Sequence, residues 1–310
     1  MTKRSRIAVV GSANVDLTTF SDRFPRAGET IFGEHFDLGW GGKGANQAVA
    51  AARLLASTPG AAVTMIGAVG DDEFAAVLRA TLAEAGVTAR LQVAAAPTGV
   101  GLITIEPRGE NTIVVASGAN AELTPDFVDA QAGAIANADF LLLQLEVGQE
   151  VNERAVSLAR AHGVRVLLNT APAQMLPDEL VARVDVLVAN RLEAQALTDL
   201  DPASRPERLL AALRARGPRV AIVTLGEDGA VGIDGDAVVT QPGFPVPSID
   251  AVGAGDAFTG ALAVALGEGS SLAAALRFAC AAGAMATTKR GAMPSLPTRA
   301  EVDALAARPR

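Results

Sequence analysis

The sequence predicts an α/β chain built on one mostly parallel sheet, with a small separate sheet set over the site. Three observations carry this. Short, continuously apolar runs at 7–10, 62–67, 140–145, 164–168, 185–189 and 220–223 alternate with helical stretches, and strands buried on both faces read that way. Regular alternation of strand and helix implies right-handed crossovers and a parallel sheet. Two pieces break the alternation, a strand at 30–36 and a hairpin at 99–105 and 112–116, and together they are expected to form the small sheet.

At 310 residues, with half of them hydrophobic, the chain supplies a sizeable core. It is read as a single domain over 1–310, since α/β folds routinely exceed ~200 residues. No repeat or low-complexity linker divides it. A net charge of −8 argues against a nucleic-acid partner, which needs a basic face. The lone cysteine, Cys280, can form no intrachain disulfide, which fits a reducing, cytoplasmic setting. The N-terminus is basic, but the apolar run at 7–10 is too short for a signal-peptide core. No run approaches the ~18 apolar residues of a membrane helix, so no membrane partner is expected.

Taken in order, the strand at 7–10 ends at Gly11 and is followed by Asn14 and Asp16. Polar residues past the carboxyl end of a strand are where open α/β sheets bind ligands. A turn at 24–28 precedes the strand at 30–36. Gly39-Trp40-Gly41-Gly42-Lys43-Gly44-Ala45-Asn46-Gln47 then leads into a helix at 48–55. This glycine-rich entry is not a Walker A loop, because Gly44 follows the lysine where Ser or Thr is needed. It is no dinucleotide fingerprint either. Asp71 and Asp72 cap a helix running to about 85. The strand at 140–145 ends at Glu146, that at 185–189 at Asn190, with Glu193 on the next helix, and that at 220–223 at Thr224. A parallel sheet collects Asn14, Asp16, Glu146, Asn190 and Thr224 along one edge. A small hairpin at 229–241, a long helix at 271–288 and a short last helix complete the chain.

The stretch with the most chemistry is Asp250-Ala251-Val252-Gly253-Ala254-Gly255-Asp256, at the start of an apolar helix. Glycines opening a helix let backbone N–H groups converge where the dipole is positive, which makes an anion hole. Asp256 in its mouth suits a general base for a hydroxyl attacking the bound anion. The combination suggests phosphoryl transfer to an alcohol. A metallohydrolase is poorly supported by two distant histidines, His35 and His162, and a serine hydrolase by the absence of a Gly-x-Ser-x-Gly elbow.

The segments Gly11-Ser12-x-Asn14-x-Asp16, Gly41-Gly42-Lys43-Gly44-Ala45-Asn46-Gln47-Ala48 and Asp250-x-Val252-Gly253-Ala254-Gly255-Asp256 resemble the ribokinase family of ATP-dependent sugar kinases. So do Gly70-Asp71-Asp72, Gly118-Ala119-Asn120, Gln144-Leu145-Glu146, Asn169-Thr170-Ala171-Pro172-Ala173 and Arg290-Gly291-Ala292-Met293-Pro294-Ser295. The resemblance runs nearly end to end. It implies a three-layer α/β/α fold with a β-sheet lid, formed here by about 17–38 and 98–117, and a homodimer through that lid. It also implies that Asn14, Asp16, Gly42, Lys43, Asn46 and Glu146 bind the sugar. Asp256 would take the proton of the 5-hydroxyl, while Gly253, Ala254 and Gly255 hold the charge on the transferred phosphoryl group. Asn190, Glu193, Thr224, Leu225, Gly226, Glu227, Asp228, Gly229, Gly255 and Cys280 would line the ATP site, with Mg²⁺ held largely by ATP and water. An activating K⁺ is implied at Asp250, Val252, Ala286, Lys289, Gly291 and Ser295.

The lysine of the second motif favours D-ribose as acceptor. Deoxyribose, a ketohexose or a nucleoside stay open as substrates, and a non-catalytic sugar-binding protein stays open as a more distant reading. Ala251, Ala189 and Arg191 depart from the family's usual residues.

Overall fold

The computed structural model describes residues 5–107 and 110–309; the basic stretch at 1–4 and part of the lid-hairpin tip, Arg108 and Gly109, lie outside them. The first half runs β1 (Arg6–Val10), β2 (Asn14–Phe20), β3 (His35–Gly41), α1 (Lys43–Leu55), β4 (Ala62–Val69), α2 (Glu73–Glu84), β5 (Val87–Val93), β6 (Gly99–Ile105), β7 (Asn111–Ala116), α3 (Pro125–Ala130) and α4 (Ala132–Ala136). There follow β8 (Phe140–Leu143), α5 (Gln149–Ala161), β9 (Arg165–Asn169), α6 (Asp178–Val181), β10 (Val186–Asn190), α7 (Arg191–Thr198), α8 (Pro206–Ala215) and β11 (Val220–Thr224). The chain closes with β12 (Ala230–Asp234), β13 (Ala237–Gln241), α9 (Ala254–Gly267), α10 (Leu272–Ala286) and α11 (Arg299–Ala306).

Among the described residues the large sheet has nine strands in the order β13-β12-β11-β10-β9-β8-β1-β4-β5. All neighbours are parallel except the β11–β12 and β12–β13 pairs. Its apolar runs are continuous because alternate residues feed two helical layers. Ile7, Val9, Phe140, Leu142 and Ile222 pack with α1, α2, α9, α10 and α11. Ala8, Val10, Leu141, Leu143 and Val223 pack with α3 to α8. The expected α/β architecture with a mostly parallel sheet is therefore the one observed.

β1 has β8 on one side and β4 on the other, so the winding reverses there. A reversal opens a crevice at the carboxyl ends of the two strands, which here are Gly11-Ser12 and Gln144-Glu146. The second sheet, β3-β2-β6-β7, rises beside this crevice. In it Asn14 lies between Gly41 and Gly99, and Asp16 between Gly39 and Gly101.

Several expectations are corrected. Asn14 and Asp16, expected just past the carboxyl end of the first strand, lie on a strand of their own, β2, in the small sheet. The strand expected at 30–36 lies at His35–Gly41, and Phe32 is 98% exposed in the loop before it. The small sheet thus takes in 14–20 and 35–41 rather than 17–38. Pairing decides this, since Asn14 faces Gly41 and Phe20 faces His35 in unbroken antiparallel register. The edge strand β5 was not foreseen, and α1 begins at Lys43 rather than 48.

Candidate active site

Asp256 lies in the first turn of α9, buried. Its Oδ2 accepts from Asn46 Nδ2 at 2.9 Å and its Oδ1 from Gln47 Nε2 at 3.0 Å. Both amides come from the first turns of α1, which packs against α9. Burial pushes the Asp256 pKa up, and the Lys43 charge and the two amide donors work against it. Lys43 is itself disfavoured by burial, but the charges of Asp256, Glu146 and Glu193 outweigh this and hold its pKa above the usual lysine value. The Asn46 Oδ1 is buried without a partner, an acceptor ready for a hydroxyl.

Gly253, at the N-cap of α9, is in the left-handed conformation at φ 80° with no side-chain cap hydrogen bond. The Ala254 N–H is engaged by the Ala251 carbonyl at 3.2 Å. Of the three expected anion-hole amides it is therefore the one already held in a turn. Gly255 is exposed, and a Cβ there would meet nothing within 4 Å. The helix N-terminus thus opens onto free space beside a buried carboxylate.

On the sugar side, Ser12 Oγ donates to Glu146 Oε2 at 2.5 Å, and the Lys43 N–H donates to the same oxygen at 3.0 Å. This places the carboxylate on the α1 N-terminus, where the dipole favours it. Asn120 Nδ2 donates to Asn14 Oδ1 at 2.7 Å, and Asn120 Oδ1 accepts from the Ala13 N–H. The glycines flanking β2 leave a trough: a Cβ at Gly41 would fall 2.2 Å from Asp16 Oδ2, and one at Gly99 would fall 2.4 Å from Asn14 Oδ1. The Asp16 pKa is raised to about 6 by burial and by the charges of Glu146 and Asp256. A cavity of about 390 Å³ opens between Asn14, Asn120, Glu146, Leu145 and Val115. Asn14, Asp16, Gly42, Lys43, Asn46, Glu146 and Asp256 are thus linked through one network of contacts and charges.

Asn190 and Thr224 are paired in register at the ends of β10 and β11. Asn190 caps α7 in a reciprocal box with Glu193: its side chain accepts from the Glu193 N–H, and the Asn190 N–H and Nδ2 donate to the Glu193 carboxylate at 2.8 Å. Burial raises the Glu193 pKa, and the Asn190 N–H, Lys43 and the Thr170 hydroxyl oppose it. Each Glu193 oxygen accepts from Asn190 and keeps a lone pair beyond that contact, so the carboxylate could meet a Mg²⁺ ion or its water shell. Arg191 turns away, donating to the Pro202 and Ser204 carbonyls. Leu225 to Gly229 form a tight turn into β12. Cys280 is core-packed on α10, and burial pushes its thiol up to about 12.

Asp250 ties two loops together, accepting from the Val252 N–H at 2.9 Å and the Gly291 N–H at 2.8 Å. Ile249 and Asp250 N–H both donate to the Thr287 carbonyl. Ser295 Oγ is buried and donates to the Ala292 carbonyl at 2.7 Å. Lys289 is paired with Glu301 by its side chain, so only its carbonyl remains to offer. Carboxylate, hydroxyl and carbonyl oxygens gathered from two segments are a donor set suited to a hard cation.

Ser12, Gln47, Asn120, Gln144 and Asn169 belong to the site's hydrogen-bond network, although the sequence reading gave them no role. Each lay inside a family-like segment, and the signal was an amide or hydroxyl in an otherwise apolar, core-bound stretch.

A buried carboxylate beside an uncapped helix N-terminus, facing a trough of hydroxyl-binding groups, defines the site of a phosphoryl-transfer enzyme with an alcohol acceptor. Residues 4–299 match the pfkB family of carbohydrate kinases. The chain is 39% identical over 303 residues to the ribokinase of Haemophilus influenzae, covering 96% of this chain and 97% of that protein. It is 36% identical over 298 residues to the deoxyribokinase of Salmonella typhi, covering 94% and 95%. The solved structure of Arabidopsis thaliana ribokinase complexed with ribose and ATP superposes with a TM-score of 0.90 at 31% identity, covering 99% of this chain and all of that one. The chain belongs to the pfkB family of carbohydrate kinases.

Proposed function

We propose that the chain transfers the γ-phosphoryl group of ATP to the 5-hydroxyl of D-ribose, giving ribose 5-phosphate and ADP. The observation that carries this reading is Asp256, held by two amides at the mouth of an open helix N-terminus. In this reading the Asp256 carboxylate takes the proton from the 5-hydroxyl as its oxygen attacks the γ-phosphorus. The bond to the β–γ bridging oxygen breaks, and ADP carries away that electron pair. The Gly253, Ala254 and Gly255 backbone holds the charge on the transferred group, Gly253 and Gly255 with N–H groups that the turn does not use. Asn14, Asp16, Gly42, Lys43, Asn46 and Glu146 bind the sugar, since vicinal hydroxyls both donate and accept.

ATP lies along Asn190, Thr224, Leu225, Gly226, Glu227, Asp228 and Gly229, with Cys280 behind it. Glu193 would meet the water shell of a Mg²⁺ ion bound with ATP, which would supply charge to offset that of the phosphates. Asp250, Val252, Ala286, Lys289, Gly291 and Ser295 would hold K⁺, which would stiffen the loop before Gly253. The small sheet acts as the lid and as the contact of a homodimer. A cytoplasmic setting suits a lone, buried thiol at Cys280.

The similarity to a deoxyribokinase supports 2-deoxy-D-ribose as a second acceptor. The test is ATP-dependent phosphorylation of D-ribose, 2-deoxy-D-ribose, D-fructose and adenosine with Mg²⁺, in K⁺ and in Na⁺. Ribose is expected to turn over fastest, and K⁺ to raise its rate in the native chain but not in Asp250→Ala. Turnover of another sugar in preference would overturn the acceptor and leave the chemistry. No turnover of any would overturn both. Equal rates in Na⁺ and K⁺ would remove the potassium site.

A further inference from the structure

The Asp256 carboxylate is the near end of a buried chain of amides. Gln47 Nε2 donates to Asp256 Oδ1 at 3.0 Å and to Asn169 Oδ1 at 3.1 Å. Gln144 Nε2 donates to Gln47 Oε1 at 2.7 Å. Behind it, Asn152 Nδ2 donates to the Gln144 main-chain carbonyl at 2.8 Å. Gln47 and Gln144 are fully buried, and Asn152 nearly so, so bulk water does not reach the chain.

We propose that Gln144, which bonds Gln47 rather than Asp256, is a positioning residue for the base: it fixes Gln47 as a hydrogen-bond donor to the Asp256 carboxylate. An amide can turn either its oxygen or its NH₂ toward a neighbour, so an amide beside a carboxylate needs something to choose for it. An ionised carboxylate only accepts. Gln47 must therefore present its NH₂ to Asp256, and its oxygen faces the other way. There the Gln144 NH₂ holds it. The price of this polarity is visible, because Gln144 Oε1 is buried with no partner. Turning the Gln144 amide over would set oxygen against oxygen at Gln47, so the unpaired atom stays where it is. Room for it is made at Gly11, just past the carboxyl end of β1: a Cβ there would fall 2.0 Å from Gln144 Oε1.

The proposal rests on Asp256 being the base, and the experiment separates the two claims. Gln144→Met removes the donor at nearly constant volume. Losing a donor to the ionised form raises a carboxylate's pKa. Gln144→Met is expected to lower kcat about 5- to 30-fold and to move the acidic limb of its pH profile upward by about half a unit to one unit, with KM for ribose within about twofold; the pKa shift follows from the loosened hold on Gln47 as donor to the ionised carboxylate and the rate loss from general-base catalysis. Gln47→Met, which removes the direct donor, is expected to shift both further in the same direction and carries the test if Gln144→Met does not fold. The pH limb is independent of how much enzyme is active, so a merely structural role would leave it in place. Asp256→Asn is measured alongside and is expected to lose about 10²–10⁴ in kcat. If Asp256→Asn turns over nearly normally, the base reading falls and the relay with it. If Asp256→Asn is crippled while both methionine variants keep the native kcat and pH limb, the relay alone is overturned.

Discussion

Asp16 shows what a binding carboxylate does to its own protein. Its pKa stands at about 6, raised by burial and by Glu146 and Asp256, against ~3.9 in an unfolded chain. Between those values the folded state binds the extra proton, so Asp16's contribution to stability is full below about pH 4 and is lost as the pH rises through 6. At pH 7 the empty site therefore holds an ionised group that the fold disfavours, and sugar hydroxyls donating to it relieve this. Asp16→Asn should raise the melting temperature of the ligand-free protein at pH 7, raise it less at pH 4.5, and weaken ribose binding at least tenfold. Thermal scans at the two pH values check this; a lower melting point at pH 7 would contradict it. Charged residues at this scale were legible because a buried Asp, Glu or Lys has few other uses. Gln47, Asn120, Gln144 and Asn169 were not legible, because an amide's role is set by the partner it meets, and spacing does not name that partner.

Two helices, α1 and α9, begin alike and serve different substrates. Each starts at a glycine with φ near +80°, Gly42 and Gly253, with no side-chain cap, so first-turn N–H groups are left to other partners. At α1 they hold Glu146 and Ser12; at α9 the Ala254 N–H is held by the Ala251 carbonyl, and Gly255 lies exposed beside open space. An alanine at either position is strained by ~1–2 kcal/mol in that conformation. Its Cβ would also press on backbone, 2.8 Å from the Asn14 nitrogen at Gly42 and 3.2 Å from Ala292 at Gly253. Gly42→Ala is expected chiefly to raise KM for the sugar, and Gly253→Ala chiefly to lower kcat; steady-state kinetics check the split, and identical effects would remove the division of labour. Both glycine entries were readable as motifs. The strands β3 and β5 were not, because neither carries a continuous apolar run. β5 is an edge strand with Thr88, Arg90 and Val93 exposed, and β3 is held to β2 by backbone register with much of its length in solvent.

Over the whole molecule, strand and helix alternation made the large sheet legible, and the broken alternation announced the small one. What covers the small sheet is a question of faces. Asp16 shares a row with Gly39, Gly101 and Val115, turned to the site. One residue along, Leu17 lines up with Leu38, Leu102 and Val114 on the opposite face. Leu38, Leu102 and Val114 are 47%, 49% and 64% exposed. Leu17 is half-buried against the core, but the other three leave an apolar patch open to water, the kind of surface that serves as a contact, and a second copy of the sheet offers a matching patch by symmetry. The same four strands position Asn14 and Asp16, so a dimer here would steady the sugar site from behind. Light scattering should give twice the 31.4 kDa chain mass at micromolar concentration. Leu102→Asp should return the mass to one chain and raise KM for ribose with little change in melting temperature, because the new charge faces solvent once the partner is gone. A native chain that runs as a monomer at that concentration would show that the patch is covered by something else.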